Sequence, residues 1–298
     1  MEDLNNTINK LRRLDLQSTH VNDIISLFMS IGETVNINLT IGINSTFLRA
    51  RPNKDCPRFS KKQELSIKPA KYNSDFQRAS SPRKTMFYGV YMSGKLNQYD
   101  LDVMRTTAAY ETICEIRVPN NPYQGKLTLG YWCNVQRLNL MAIVHKKEYT
   151  EINPYTKEIY EAYKEHLANN DRRLMDKSLE FYDFLADEFS KKTIRGNYDY
   201  KITALYSEAA SRHNVDGILY PSVRLGGVSN NVALKKSAMK KLRLYAVEEA
   251  TVQQVENNVQ VSVNAFAQCN DKPTFELLDV PKQKAGGTEF SNSKQYFL

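Results

Sequence analysis

Apolar side chains recur every three or four residues in several stretches of the chain, as they do on one face of an amphipathic helix. The pattern predicts two short helices within residues 1–32, a long helical region at 154–192 and a further helix at 201–213. Asn169 and Asn170 interrupt the long region and divide it into two helices. Another helix is predicted within 105–117, with Thr106 or Thr107 as its N-cap.

Alternating apolar and polar positions predict strands between these helices. Two strands, or one bent strand, are expected at 36–43 and 46–51. Further strands are expected at 85–93, 126–135, 138–144 and 218–220, and after Leu244. Residues 52–85 are polar and basic without a sustained period, so a long loop is expected there, and a loose tail is expected from about Lys282. Because strands and helices mix without regular βαβ alternation, the predicted fold class is α+β.

The chain has 298 residues, enough for one large domain or two small ones. Its formal net charge of +8 suits an anionic partner such as a nucleotide, a nucleic acid or a membrane surface. The densest basic cluster is either a solvated face or part of a binding surface. It consists of Lys235, Lys236, Lys240, Lys241 and Arg243.

Cysteine and histidine usage indicates a metal-free protein of the cytoplasm. The four cysteines and four histidines are scattered, without paired or metal-ligand spacing, so reduced thiols are expected. Apolar runs stay well short of the ~18 residues that cross a bilayer, and the polar start MEDLNNTINKLRRLD is unlike a signal peptide. We therefore expect a cytoplasmic location and no contact with a membrane.

Two arginines stand on the predicted strand at 46–51. Phe47, Arg49 and Arg51 share one face of that strand, because alternate side chains point the same way. Paired guanidinium groups are suited to binding phosphate through bidentate hydrogen bonds. The alternative is an edge strand whose arginines are simply solvated.

Arg78 and Tyr88 form a second candidate group. Arg78 lies in a loop of small and turn-forming residues, and the chain then enters a strand that carries Tyr88. A tyrosine on the less buried side of a strand can stack on a planar ring or hydrogen-bond a substrate. The alternative is a tyrosine packed in the core with its hydroxyl satisfied.

Glu111 and Ser222 complete the candidates. With Thr107 as the cap, Glu111 falls in the first helical turn, where it either complements the helix dipole or points into a cleft. Ser222 follows Pro221 at the end of a short strand, before a glycine-rich loop. It lacks a Gly-x-Ser-x-Gly elbow, so it is either a ligand-binding serine or a turn serine instead of a nucleophile.

In this order, the four stretches resemble the RES domain, the toxin of bacterial RES–Xre toxin–antitoxin pairs. The matching segments are FLRAR, QRASSP followed by MFYG, TTAAYETI and VDGILYPSVRLGGVSNN. Gln77 and Ser80 stand where the family usually has glycine and asparagine, and the family's last asparagine is displaced, so both Asn230 and Asn231 are candidates. The resemblance covers roughly residues 46–250 and assigns the family's positions to Arg49, Arg78, Tyr88, Glu111 and Ser222.

The resemblance implies an NAD+ glycohydrolase that depletes cellular NAD+ and inhibits growth, with a fold similar to that of ADP-ribosyltransferases. It implies that Glu111 stabilises the ribosyl cation and that Arg49 and Arg78 hold the pyrophosphate. Tyr88 would line the nicotinamide ribose, and Ser222 would hydrogen-bond the substrate. We add Arg51 and Asn230 as substrate-binding residues. NAD+ is then the substrate, and neither a cofactor nor a metal is expected.

Two other functions remain open from the residues. An ADP-ribosyltransferase would share the first chemical step but transfer to a macromolecule or to phosphate. A non-catalytic nucleic-acid-binding protein would account for the positive charge, although a helix-turn-helix and an aromatic RNA platform are not evident.

Partners and domains follow from the same resemblance. An Xre-like antitoxin or other regulatory protein is the expected partner. The expected domains are an N-terminal extension at 1–45, a catalytic domain at 46–250 with a helical insertion at about 154–192, and a C-terminal extension at 251–298. The added helices serve either a homo-oligomer and regulation, or internal packing.

Overall fold

A computed structural model describes residues 4–54, 58–144, 146–212 and 214–281 of the chain. Helices and strands mix along this described part, and its ten strands belong to a mostly antiparallel sheet, which confirms the α+β prediction. The helices are α1 (Leu4–Arg13), α2 (Val21–Ile31), α3 (Gln98–Thr112), α4 (Lys147–Ile152), α5 (Pro154–Leu167), α6 (Arg172–Phe189) and α7 (Lys201–Ala210). The strands are β1 (Asn38–Ile41), β2 (Thr46–Pro52), β3 (Phe87–Tyr91), β4 (Tyr123–Asn134), β5 (Leu138–Ala142), β6 (Gly217–Pro221), β7 (Asn230–Leu234), β8 (Leu242–Val255), β9 (Asn258–Gln268) and β10 (Leu278–Asp279).

The chain divides into two compact units, each assembled from separate segments. The first unit contains Met1–Ser45, Ser66–Gly89 and Asn134–Arg243. The second unit contains Thr46–Leu65, Val90–Cys133 and Leu244–Leu298. The domain boundaries expected at residues 45 and 250 stay a prediction.

In the first unit, the strands are hydrogen-bonded in the order β1-β5-β6-β7. β5 and β6 run parallel, while β1 with β5 and β6 with β7 are antiparallel. β6 and β7 are buried along their whole length. Strands covered on both faces have no polar side to show to water, which is why ILY at 218–220 and VAL at 232–234 are continuous apolar runs.

The helices predicted for the first unit are confirmed. α1 and α2 occupy the N-terminal region, and the long helical region forms α5 and α6, with its break at Asn169 and Asn170. Asp171 caps α6 by accepting a hydrogen bond from the backbone N–H of Leu174 at 3.0 Å. The end of α6 is fixed to the sheet by Phe189, whose ring centroid lies 5.4 Å from that of Tyr220 on β6.

The second unit contains α3 packed on one face of strands in the order β3-β2-β4-β8-β9-β10. Its core joins Leu48 of β2 and Leu129 of β4 to Met104 and Ala108 of α3. β8 and β9 form a long antiparallel hairpin, which confirms the strands expected after Leu244.

The start of α3 differs from the prediction. The helix begins at Gln98, because Asn97 and Asp100 form a capping box: the Asn97 side chain accepts from the Asp100 N–H at 3.1 Å, and Asp100 accepts from the Asn97 N–H at 2.9 Å. Thr107 is therefore not a cap. It lies buried in the middle of the helix, where its hydroxyl donates to the Val103 carbonyl oxygen at 2.8 Å.

The remaining expectations concern loops and special residues. Over its described residues, the long loop contains short 3₁₀ turns at Lys62–Leu65 and Ala70–Tyr72, and isolated β-bridges join Lys61 to Thr274 and Gln77 to Ser80. Cys114, Cys133 and Cys269 are free thiols, whereas Cys56 and the tail from Lys282 lie outside the described residues. Over the described ranges, no helix is both long and apolar enough to cross a membrane, and no three histidine, cysteine or acidic residues are grouped to hold a metal ion.

Candidate functional site

Arg49 and Arg51 lie on β2 of the second unit, on the face that α3 does not cover. Leu48 and Ala50 pack into the core beneath α3, and successive side chains of a strand point to opposite faces. Phe47 shares the arginine face and stacks on a β3 tyrosine with ring centroids 5.4 Å apart. The prediction that Phe47, Arg49 and Arg51 share a face is therefore confirmed.

Both arginine side chains are half-buried next to small residues of β4. Gly130 is opposite Arg49 and Thr128 is opposite Arg51 in the antiparallel register. Burial lowers the pKa of Arg51, and the carboxylate of Glu64 opposes that shift. Because a guanidinium stays charged at neutral pH, this face carries two partly desolvated positive charges of the kind that bind phosphate.

Glu111 occupies the last turn of α3 and is half-buried. Arg117 donates to the carbonyl oxygens of Tyr110 at 2.7 Å and Glu111 at 2.9 Å, which satisfies acceptors left open at the helix end. The helix dipole places partial negative charge at this end, where it disfavours a carboxylate. The alternative that Glu111 complements the dipole of a first turn is therefore wrong, since it depended on a helix that starts at Thr107.

Glu111 and the two arginines thus belong to the same unit, but the helix that carries Glu111 and the two arginine side chains lie on opposite faces of its sheet. α3 packs on the β2 face that contains Leu48 and Ala50, and the side chains of Arg49 and Arg51 leave from the other face. Their convergence on one ligand stays a prediction.

Arg78 lies in the first unit, where its buried guanidinium contacts the end of α6. Its Nη1 donates to the Phe189 carbonyl oxygen, and its Nη2 donates to the Lys191 carbonyl oxygen at 3.3 Å. The guanidinium also lies over the Tyr200 ring, 5.1 Å from its centroid. Cations are favoured beside the carbonyl groups that end a helix, so Arg78 has a clear structural role in addition to the ligand contact predicted for it.

Tyr88 supports the same loop from β3. Its hydroxyl accepts a hydrogen bond from the Ala79 N–H at 3.2 Å and shares a second one with the Ser80 hydroxyl at 2.9 Å. The short side chain of Ser80 thus reaches Tyr88. The structure therefore brings Tyr88 and the loop of Arg78 together.

Ser222 follows Pro221, the last residue of β6, at the start of the loop 221–229 that leads to β7, and it is fully buried. Its N–H donates to the Ser229 carbonyl oxygen at 2.9 Å, and its own carbonyl oxygen accepts from the Gly227 N–H at 2.7 Å. Gly227 has a φ of +88°, and a Cβ at this position would come within 2.5 Å of Tyr149. The loop is thus tightly folded, and only glycine fits at 227.

The start of α5 holds this loop in place. Asn153 donates from Nδ2 to the carbonyl oxygens of Gly227 at 3.1 Å and Val228 at 3.3 Å. One turn later, the Thr156 hydroxyl donates to Oδ1 of Asn230 at 3.3 Å. Asn230 is 1% exposed, so in this state it contacts the helix, and its predicted contact with substrate stays a prediction.

Residues 189–192, which end α6 and follow it, connect the loop of Arg78 to that of Ser222. Arg78 binds the carbonyl groups of Phe189 and Lys191, and Arg224 donates to the Lys192 carbonyl oxygen at 2.9 Å. A cavity beside Pro221 has a volume of about 10 Å³, enough for roughly one water molecule. In this conformation the cavity is too small for a nucleotide.

Two features of the site were missed from the sequence. The Asn153-Pro154 pair is a sequence signal for a helix start, but it does not tell which loop the asparagine contacts. The second missed feature is the buried ion pair between Arg105, which is close to Glu111 in sequence, and Glu248. No local pattern indicates this pair, because the two residues are far apart along the chain.

The basic cluster at 235–243 is partly engaged within the first unit. Lys241 donates to Asp216 at 2.7 Å and Lys235 donates to the Ser211 carbonyl oxygen at 3.2 Å. Lys236, Lys240 and Arg243 are exposed. This arrangement favours the solvated-face interpretation over a continuous nucleic-acid-binding surface.

Comparison with known proteins adds no relative. A scan against models of protein families gives no match to the chain, and a search of curated proteins gives none.

Proposed function

We propose that this protein is an NAD+ glycohydrolase that cleaves the bond between nicotinamide and ribose. The observation that carries the proposal is the position of Glu111, a half-buried carboxylate in the last turn of α3. The helix dipole disfavours a negative charge there, so helix stability does not account for it. The same residue is the glutamate of the segment that resembles the RES domain. An ADP-ribosyltransferase-like fold and a cytoplasmic location belong to this proposal.

The chemistry fits the residue types. The electron pair of the glycosidic bond leaves with nicotinamide, which departs as a neutral ring, so no general acid is needed. The remaining ribosyl cation takes the oxygen of water, one proton is released, and the products are nicotinamide and ADP-ribose. A carboxylate such as Glu111 stabilises the cation and orients the attacking water.

The positive residues suit the other end of the substrate. Arg49 and Arg51 are half-buried and side by side on one strand face, which is suited to the oxygens of a pyrophosphate. Because α3 packs on the opposite face of β2, one NAD+ molecule contacts both Glu111 and these arginines only by passing an edge or end of the sheet. A pyrophosphate contact by Arg78 requires its guanidinium to exchange carbonyl oxygens for phosphate oxygens. Ser222 is fully buried, so its hydrogen bond to substrate requires the groups that cover its side chain to move.

The test is NAD+ turnover by the purified protein, with nicotinamide and ADP-ribose separated chromatographically. Glu111→Gln should lower the rate by about 10² to 10⁴-fold without a change in melting temperature. Glu115→Gln is the matched control: this carboxylate lies just beyond α3, receives a weak contact from Lys54 at 3.5 Å, and should be dispensable. Intact NAD+ after incubation with the wild-type protein, or full activity of Glu111→Gln, contradicts the proposal.

Labelled NAD+ identifies the acceptor. Free ADP-ribose supports hydrolysis, label on a macromolecule supports an ADP-ribosyltransferase, and phosphate-dependent turnover supports transfer to phosphate. In cells, induced expression should deplete NAD+ and arrest growth, and Glu111→Ala should abolish both effects. An Xre-like antitoxin should relieve them.

A further inference from the structure

Asn153 uses both ends of its side-chain amide, and each end serves a different element of the first unit. Its Oδ1 caps α5 by accepting from the N–H groups of Tyr155 at 3.0 Å and Thr156 at 3.2 Å. Its Nδ2 donates to the carbonyl oxygens of Gly227 and Val228 at 3.1 and 3.3 Å. The side chain is buried, so these bonds form away from competing water.

The loop that Asn153 contacts is the one that begins with Ser222. Gly227 is hydrogen-bonded to Ser222, because its N–H donates to the Ser222 carbonyl oxygen at 2.7 Å. Two hydrogen bonds in series therefore lead from the Asn153 amide to the backbone of Ser222. Tyr149 of α4 lies within 2.5 Å of where a Cβ of Gly227 would stand, so the loop is closely packed against this helix.

We infer that Asn153 is a positioning residue for Ser222, and that the start of the α5–α6 insertion serves to fix the loop 221–229. Only the expected effect of Asn153 on kcat/KM for NAD+ rests on the proposed function. An amide is required because it both accepts and donates. An aspartate at this position would keep the cap but could not donate to the two carbonyl groups.

Substitutions at Asn153 can remove its hydrogen-bond donors while they keep the cap of α5. Asn153→Asp keeps a good N-cap, adds a charge that the helix start favours, and places a carboxylate against two carbonyl oxygens. Asn153→Ser keeps a capping oxygen and removes the amide N–H donors without adding charge. Asp171→Asn is the matched control, because it makes the reverse exchange at the exposed cap of α6 in the same insertion.

The first readout is hydrogen exchange at the amides of 222–229 in the full-length protein. Loss of the two donors should speed exchange of the Gly227 amide by about tenfold or more, in both Asn153 variants and not in Asp171→Asn. Helix content by circular dichroism should stay unchanged. Exchange that is unchanged in both variants overturns the inference, whether or not the protein cleaves NAD+.

The second readout separates positioning from general stability. Asn153→Asp should lower kcat/KM for NAD+ by about tenfold, and the same substitution should cause little further loss in a Ser222→Ala background. Equal losses in the two backgrounds overturn the link to Ser222. A wild-type protein that leaves NAD+ intact refutes the proposed function, and the exchange measurement then still decides the role of Asn153.

Discussion

We expect Glu248→Gln to destabilise the second unit strongly, because it breaks a buried ion pair beneath α3. Arg105 binds Glu248 through two parallel hydrogen bonds, from Nε at 2.9 Å and from Nη2 at 2.7 Å. The hydroxyl of Tyr131 donates to the same carboxylate at 2.7 Å. The side chains of Arg105 and Glu248 are 3% and 2% exposed, so water cannot replace a lost partner.

The magnitude follows from this geometry. Burial opposes the charge of Arg105, but Tyr131 and Glu248 outweigh it and raise the pKa of Arg105 above its usual value. A guanidinium is not deprotonated in proteins, so Arg105 stays charged when Glu248 is replaced, and among the described residues the exposed Asp102, at 2.7 Å, remains as its anionic partner. Breaking such a pair from one side costs about 3–5 kcal/mol. Replacing the whole network by apolar residues of similar size should restore stability to within about 1 kcal/mol of the wild type.

Urea unfolding followed by tryptophan fluorescence measures these free energies. Trp132 is the single tryptophan of the chain and lies on β4 of the second unit beside Tyr131, so its signal reports on that unit. The variants are Glu248→Gln and the triple substitution Arg105→Met, Tyr131→Phe and Glu248→Leu. A loss below about 1 kcal/mol for Glu248→Gln, or a triple variant less stable than the single one, would refute the reasoning.

Two further predictions concern the first unit. Gly227→Ala should lower the free energy of unfolding by about 1–3 kcal/mol more than Gly226→Ala. Both residues have positive φ, but only a Cβ at 227 would meet Tyr149. Equal losses of free energy in urea unfolding would contradict this contact. Burial alone would raise the pKa of Asp199, yet hydrogen bonds from Arg195 lower it below the usual value. Its stabilisation is therefore present at neutral pH and lost as the pH falls through the folded-state pKa. Asp199→Asn should cost about 1–3 kcal/mol at pH 7, and the gap to the wild type should close as the pH falls through the folded-state pKa. A gap that does not depend on pH would argue against an ionised Asp199.

Local patterns predicted the elements better than their ends. The helices of the long region and their break came from the spacing of apolar residues, and the shared face of Phe47, Arg49 and Arg51 came from strand alternation. The start of α3 was missed because two threonines resemble caps, whereas the capping box at Asn97 and Asp100 satisfies two N–H groups at once. That error placed Glu111 in the first helical turn, whereas it lies in the last turn.

The candidate residues could be chosen from the sequence, but their contacts could not. Arg78 bonds to a carbonyl group 111 residues away, and Asn153 bonds to one 74 residues away. Both arrangements depend on how α5 and α6 pack against the loops of the first unit. A sequence motif identifies the residue but not the distant partner that it contacts.

The sequence by itself determined most of the helices and strands, although not α4 or β7. It also determined which side chains of a strand share a face, because backbone geometry ties side-chain direction to position within the strand. Only the tertiary structure decided the partners of the buried polar groups, including Arg105 with Glu248 and Asn153 with the loop after Ser222. Those partners come from distant segments, and they are set by which chain segments meet when apolar surface is buried.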